Sequence, residues 1–418
     1  MDNIKIEIMS LNDLKEYDFK KTDATVYFLK LFEHQRIANK NEIRLDKIQK
    51  KSSILQENIL EYAMLQKKDD MSFLKFYSDF SKIPNDEYFF MFVGDFQWSA
   101  ELKLKEIIDL EKLNGQETVD MDSVLEPIQD ILKNYSIVKL NLSKKIRIGR
   151  KRKEDRICRF CKKSMKDGAL FTNEAHAISE ALGNKKIILN EECDTCNSYF
   201  DKEIERHLIG YLDFIRTLYK VPNKSNKVPN LRGKNYEFRN SNDGTQLIIY
   251  NRDHLKRVNE KKDRIILENH ETVVPQNVYK SLVKFALSII DSKYLVEFQK
   301  SIDWIRGQSE VERVPKIAMA VGKNNQTTQP DLVVYIRRNN CMNLPYAIGE
   351  FKFLTITFIF IIPTFKSEEC DFLNECDFNH IWDCFKHYGP IESLRMMDFS
   401  SNNKQKNNFE LNIANNKI

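Results

Sequence analysis

The chain has 418 residues, 42% hydrophobic and 30% charged, with a formal net charge of +5. That is the composition of soluble globular protein; it excludes global disorder and, at this length, predicts two or three folded units. The amino terminus, MDNIKIEIMSLNDLKEYDF, is acidic from its second residue and lacks a continuous apolar stretch, so it does not read as a secretory signal.

The longest apolar run, Phe353 to Ile362, has about half the length needed to cross a bilayer. Rich in Phe and β-branched residues, it reads as a buried strand. A cytoplasmic protein without membrane association is expected, and its eight cysteines then lie in a reducing compartment, where Cys-x2-Cys pairs hold metal more often than disulfides.

In chain order, residues 1–143 read as a mixed α and β domain of unassigned role. Ile48, Leu55, Ile59, Tyr62 and Leu65 fall near helical spacing, and Glu87–Val93 is an aromatic-rich strand bounded by Pro84 and Gly94. Ser123–Tyr135 predicts a short helix with Pro127 in its first turn, where proline is tolerated. A basic segment and a metal-binding finger follow over 144–220. Lys144–Lys163 carries eleven Lys or Arg against two acids, so the rest of the chain is net negative. Positive charge concentrated this way is the footprint of a polyanion, since each neutralised phosphate releases counterions.

Residues 221–399 predict an α+β domain. A Pro/Asn/Lys-rich connector leads to a hairpin with Asp243 and Gly244 in its turn, a helix over 278–298, and the strands DLVVYI and YAIGEFKFLTITFIFII. The tail, 400–418, is Asn/Lys-rich and reads as disordered.

The chemistry concentrates in the finger. Cys158-x2-Cys161 and Cys193-x2-Cys196, 31 residues apart, supply four thiolates for a tetrahedral zinc ion. An all-thiolate shell leaves no open position, so this zinc is structural and any catalysis requires a second ion. The second knuckle opens a helix with Phe200, Ile204, Leu208, Tyr211 and Ile215 on one face, and helical projection puts Asn197 at the edge of that face in the first turn. A short strand, Ala169–Phe171, precedes the turn before His176.

Cys-x2-Cys, a His after fourteen further residues, then Cys-x2-Cys-Asn opening a helix resembles the HNH endonucleases, and AHAISEALGN resembles the EHVIPxxLGG run of bacterial members. The resemblance covers Arg156 to Ile215. It implies a zinc-tied ββα-metal (treble-clef) finger at the centre of an α+β multidomain protein that hydrolyses phosphodiester bonds in DNA, ahead of RNA, with a catalytic Mg2+ or Mn2+ and a role in restriction or phage defence.

It implies further that His176 is the general base and that Asn197 is a ligand of the catalytic ion. The acid that precedes the His in this family is Ala175 here. Glu174, Asp201 and Glu205 are therefore the candidates for the missing carboxylate. Asn190, ahead of Asn184, is the candidate to orient His176.

Two other patterns stand outside the finger. Pro330-Asp331 and Glu350-x-Lys352 on successive strands fit the two-acid-and-lysine pattern of another nuclease class, and read first as a plain hairpin. Cys376, His380, Cys384 and His387 share a helical face, but four ligands on one helix span too far to meet one ion. His207 reads as a surface residue. The rival to an enzyme is a zinc-finger nucleic-acid-binding protein without catalysis, which needs the cysteines and the basic run but not His176.

Overall fold

The computed structural model describes residues 3–11, 13–33, 45–96, 98, 100–116, 128–140, 145–222, 227–228, 230–241, 244–250, 255–259, 262–322, 329–339, 343–366 and 370–414. Lys144, Asp243, the first residues of the helix expected over 123–135, and the side chains of Cys376 and His380 lie outside them. The fold is mixed helix and sheet, in two compact units, Met1–Pro127 and Ile128–Ile418.

The first unit is a four-stranded sheet, order β2-β1-β4-β3, from β1 (Asn3–Met9), β2 (Leu14–Lys20), β3 (Ile48–Lys50) and β4 (Tyr88–Val93). Helices α1 (Asp23–Leu29), α2 (Ser53–Gln66), α3 (Ser72–Phe80) and α4 (Ala100–Leu113) accompany it. Its core is aromatic: Phe19, Phe28, Phe73, Phe76, Phe80 and Phe89 are fully buried and meet in tilted and edge-to-face pairs. The helix read from the spacing of Ile48 onward begins later, at Ser53, because Ser52 caps it through its hydroxyl and Ile48 is already paired with Phe90 in the sheet.

The second unit begins with α5 (Gln129–Asn134) and β5 (Tyr135–Lys139). The finger carries β6 (Ile146–Ile148), β7 (Ile187–Leu189) and a long helical stretch of α6 (Asp194–Tyr199), a π-helical segment (Phe200–Glu205) and α7 (Arg206–Leu218). Small antiparallel sheets follow, built from β8 (Leu231–Arg232), β9 (Tyr236–Ser241), β10 (Gly244–Ile249), β11 (Leu255–Asn259), β12 (Lys262–Leu267) and β13 (Thr272–Val273). After α8 (Pro275–Ile289) and α9 (Gln299–Ile305) come β14 (Ile317–Val321), β15 (Asp331–Arg337), β16 (Ala347–Phe353), β17 (Ile356–Ile361), α10 (Glu375–Trp382), β18 (Arg395–Met397), β19 (Gln405–Lys406) and β20 (Phe409–Ala414). The largest sheet has the order β18-β14-β17-β16-β15-β5.

Four expectations are corrected by pairing and burial. The break between units falls at 127/128, not 143, because β5 pairs along β15 and belongs to the large sheet. The finger and the sheet beyond it share one core that runs from Cys158 through Phe200, Leu282 and Phe351 to Phe399, so 144–220 and 221–399 lie in the same compact unit. The tail, expected to be disordered, pairs instead: β20 lies along β12 and β19 along β13, because Phe409 and Leu411 bring apolar surface to the small core around Phe214. The expected helix over 278–298 stops at Ile289; the chain is extended at Ile290, and Asp291 caps a new turn.

The apolar run near Phe353 divides into two strands at Leu354, which takes a left-handed conformation at φ +56°. No described helix is long and apolar enough to cross a membrane.

Candidate active site

The finger is built around its cysteines. In the first knuckle the amide of Cys158 donates to the carbonyl of Lys163 at 2.9 Å and that of Lys162 to the carbonyl of Cys158 at 2.8 Å, a tight turn that points both sulfurs one way. The second knuckle is the mouth of α6, with Cys193 at its N-cap. All four sulfurs, of Cys158, Cys161, Cys193 and Cys196, lie within 4.8 Å of one another, and the Cys161 and Cys193 sulfurs are 3.7 Å apart. A tetrahedral ion with bonds of about 2.3 Å places its sulfurs about 3.8 Å apart, so the set fits zinc. Three of the four thiols are buried, and so close a group cannot ionise together without a cation. Zinc bound there supplies a cross-link between the hairpin and the helix.

Asp194, in the first turn of α6, holds the approach to His176: its carboxylate accepts from the amides of Thr172 and Asn173 at 3.0–3.1 Å and from the Thr172 hydroxyl. Residues 169–171, expected as a strand, form none. The strand comes later, at His176, which faces Ile188 of β7 in an antiparallel bridge, flanked by hydrogen bonds from Leu189 to Ala175 and from Ala177 to Ile187. β7 in turn pairs in parallel with β6 of the basic segment. Strand, β7 and helix together make the ββα arrangement the sequence implied, closed by the cysteine cluster.

His176 is mostly buried. Its Nδ1 has no hydrogen-bond partner among the described residues, and its Nε2 lies 3.8 Å from a Glu180 carboxylate oxygen. Burial lowers its pKa below the ordinary histidine value, with Glu180 and Glu174 opposing, so the imidazole is neutral near pH 7, with its Nδ1 buried and unpaired.

The other candidates divide. Asn197 sits half-buried in the first turn of α6. Asn190 is buried at the end of β7, its amide on the carbonyl of Ile148. Asn184 is committed to its own loop: its amide nitrogen donates to the carbonyls of Ile178 and Ile187, and its oxygen accepts from the amides of Lys186 and Ile187.

Of the three acids proposed in place of the family's missing carboxylate, Glu174 and Glu205 are held by lysine or arginine partners. Glu174 pairs with Lys145 at 2.6 Å and Arg147 at 2.9 Å, and the Lys145 hydrogen bond holds its carboxyl below the usual range. Glu205 is turned inward by the π-helical segment, buried, and bound to Lys284 of α8 at 2.9 Å. Asp201 remains exposed.

The basic segment forms a compact outer loop. Arg156 donates to the carbonyls of Arg150 and Lys151, Arg152 pairs with Asp155, and most of the described positive side chains face solvent, Arg159 excepted. Gly149, at φ +88°, lets the loop pass over Glu191: a Cβ there would stand 2.5 Å from the Glu191 side chain.

Sequence reasoning missed a buried charge network. Arg159, between the first two cysteines, donates to the carbonyls of Leu287, Ser288 and Ile290 at the end of α8 and lies 3.6 Å from Glu191. Lys284 lies between Glu205 and Glu192, 3.3 Å from the latter without a well-aligned hydrogen bond. Burial pushes the Glu192 carboxyl up to about 7, with Lys284 opposing. The one sequence signal was a lysine inside the otherwise apolar SLVKFAL. His207, expected at the surface, is buried, and its Nδ1 accepts from the amide of Val274 at 3.1 Å.

On the large sheet, Asp331 stands opposite Lys352, and Glu350 lies two residues along the same strand on the same face. Glu350 is buried and fully engaged, accepting from Tyr335 at 2.7 Å, Tyr388 at 2.8 Å and Lys352 at 2.8 Å, while Asp331 pairs with Lys139. Cys384 packs with Trp382 and Phe385 in a hydrophobic cluster.

Fold and site together define a zinc-type finger of the HNH class within a larger chain. Residues 158–212 match the family model of the HNH endonucleases. No curated protein and no solved structure matches the chain.

Proposed function

We propose that the protein is an HNH-type endonuclease that hydrolyses phosphodiester bonds in DNA. The observation that carries this reading is His176: it stands on the strand of a cysteine-tied ββα finger with a neutral imidazole whose Nδ1 is uncommitted. A water molecule loses its proton to the imidazole as its oxygen bonds to phosphorus, and the bond from phosphorus to the 3′ oxygen breaks. Asn197 would hold a Mg2+ or Mn2+ ion at the mouth of α6, and that ion, when bound, stabilises charge on the phosphate and the leaving oxygen.

Asn190 would orient the base, and the exposed arginines and lysines of the basic segment would draw the nucleic-acid backbone to the finger. Service in the cytoplasm as a restriction or phage-defence nuclease fits a finger joined to further folded parts that select the target.

Purified protein with Mg2+ or Mn2+ is expected to nick or cut plasmid DNA. His176→Ala is expected to lower the rate at least about 100-fold, within the range general-base catalysis contributes, with zinc content and DNA binding unchanged. Equal cutting by the variant would overturn His176 as the base, and no cutting by the wild-type protein would leave a zinc-dependent binding protein as the reading.

A further inference from the structure

Lys284 plays no part in the proposed chemistry, yet every hydrogen-bond and ion-pair partner of its ammonium among the described residues belongs to the finger. Although it lies on α8, 108 residues beyond His176, its Nζ is fully buried and donates to the backbone carbonyl of His176 at 3.1 Å. It also bonds Glu205, at the end of the π-helical segment, at 2.9 Å, and lies 3.3 Å from Glu192, which precedes the ligand Cys193.

The strand geometry explains why the carbonyl is available. Hydrogen bonds to β7 are made by Ala175 and Ala177, so the carbonyl of His176 points away from β7 and needs another donor. One ammonium therefore ties three pieces of the finger: the strand of the base, the second knuckle and the helix. Arg159 braces the same contact in the other direction by capping the end of α8.

We infer that Lys284 is a positioning residue for His176: its ammonium fixes the base's strand against the knuckle and helix, so that α8 and not the finger alone sets where the base stands. This rests on His176 being the base.

Lys284→Met alone would strand two buried carboxylates, so the decisive protein is the full-length chain carrying Lys284→Met, Glu192→Gln and Glu205→Gln together. Should it fail to fold, Lys284→Gln with Glu192→Gln carries the same comparison, since glutamine is shorter than lysine but still a donor. With plasmid DNA and Mg2+ or Mn2+, kcat is expected to fall roughly ten- to hundred-fold with KM and zinc content near wild type, as for a base displaced by a fraction of an ångström to an ångström. Lys284→Arg is expected to recover part of the loss.

Hydrogen exchange of the Ala175–Ala177 amides should quicken in the neutral variant. A folded, zinc-loaded variant with wild-type kcat overturns the inference, as does wild-type exchange at that strand. If instead His176→Ala cuts normally, the base assignment has failed, and the exchange measurement alone then decides whether Lys284 anchors the strand.

Discussion

His176 owes its usefulness to being buried and half-bonded. A ring in water would be partly protonated near neutrality, whereas burial pushes this one down, and the nearby carboxylates of Glu180 and Glu174 limit the drop. Only the neutral ring accepts a proton, so activity is lost as pH falls through the depressed pKa. The acidic limb of kcat/KM against pH is expected below about 6.5, and Glu180→Gln should move it further toward acid by removing an upward push. A limb above 6.5, or one unmoved by that substitution, would contradict the arrangement.

At this scale the sequence was partly readable. The cysteines and His176 announce themselves because metal and base chemistry demand particular residues at particular spacing. Glu205 was misread, because an acid on a helix near an expected ion looks the same as an acid awaiting a lysine from a distant helix. Lys284 could not be paired with anything from sequence alone.

Among the elements, the helix after the second knuckle shows both the strength and the limit of periodicity. Phe200, Ile204 and Leu208 are buried as their spacing predicted. Between Phe200 and Glu205, however, the chain winds as a π-helix, which adds a residue to the turn and alters which side chains face inward beyond it. Glu205, read as a candidate ligand, and His207, read as a surface residue, are both buried. His207 became part of the junction with β13, accepting the amide that follows it.

The cysteine cluster fixes where this helix starts, so its loss should be felt along the element. Cys196→Ser is expected to abolish stoichiometric zinc and lower the melting temperature of the finger-bearing unit by several degrees or more, read by metal analysis and calorimetry, since a structural site contributes its binding energy to folding. Unchanged melting in a zinc-free variant would show that the hairpin and helix hold without the ion.

For the chain as a whole, strands were legible and borders were misleading. Alternation and apolar runs identified β15, β16 and the hairpin of β9 and β10, because those pairings are local. Pairings between remote segments were invisible: β5 with β15, and β12 with β20. An Asn/Lys-rich tail has the composition of disorder, yet Phe409 stacks 4.5 Å from Phe214, and the Asn407 side chain donates to the carbonyl of Tyr211 at 2.9 Å. Deleting residues from 405 onward is therefore expected to destabilise the second unit by roughly 2–4 kcal/mol, the scale of removing a large buried aromatic with its hydrogen bonds, measured by urea denaturation. A truncated chain as stable as the full one would return the tail to the status its composition suggested.

The placement of β5 has a consequence for how the chain is made. Emerging well before β15, β5 must wait through the whole finger and the small sheets until β15 arrives to pair with it. During that interval its backbone is an open edge beside a segment rich in positive charge. The long delay favours early closure of the local, metal-tied hairpin and late completion of the large sheet, and it makes synthesis, more than the finished fold, the stage at which this protein is exposed to aggregation.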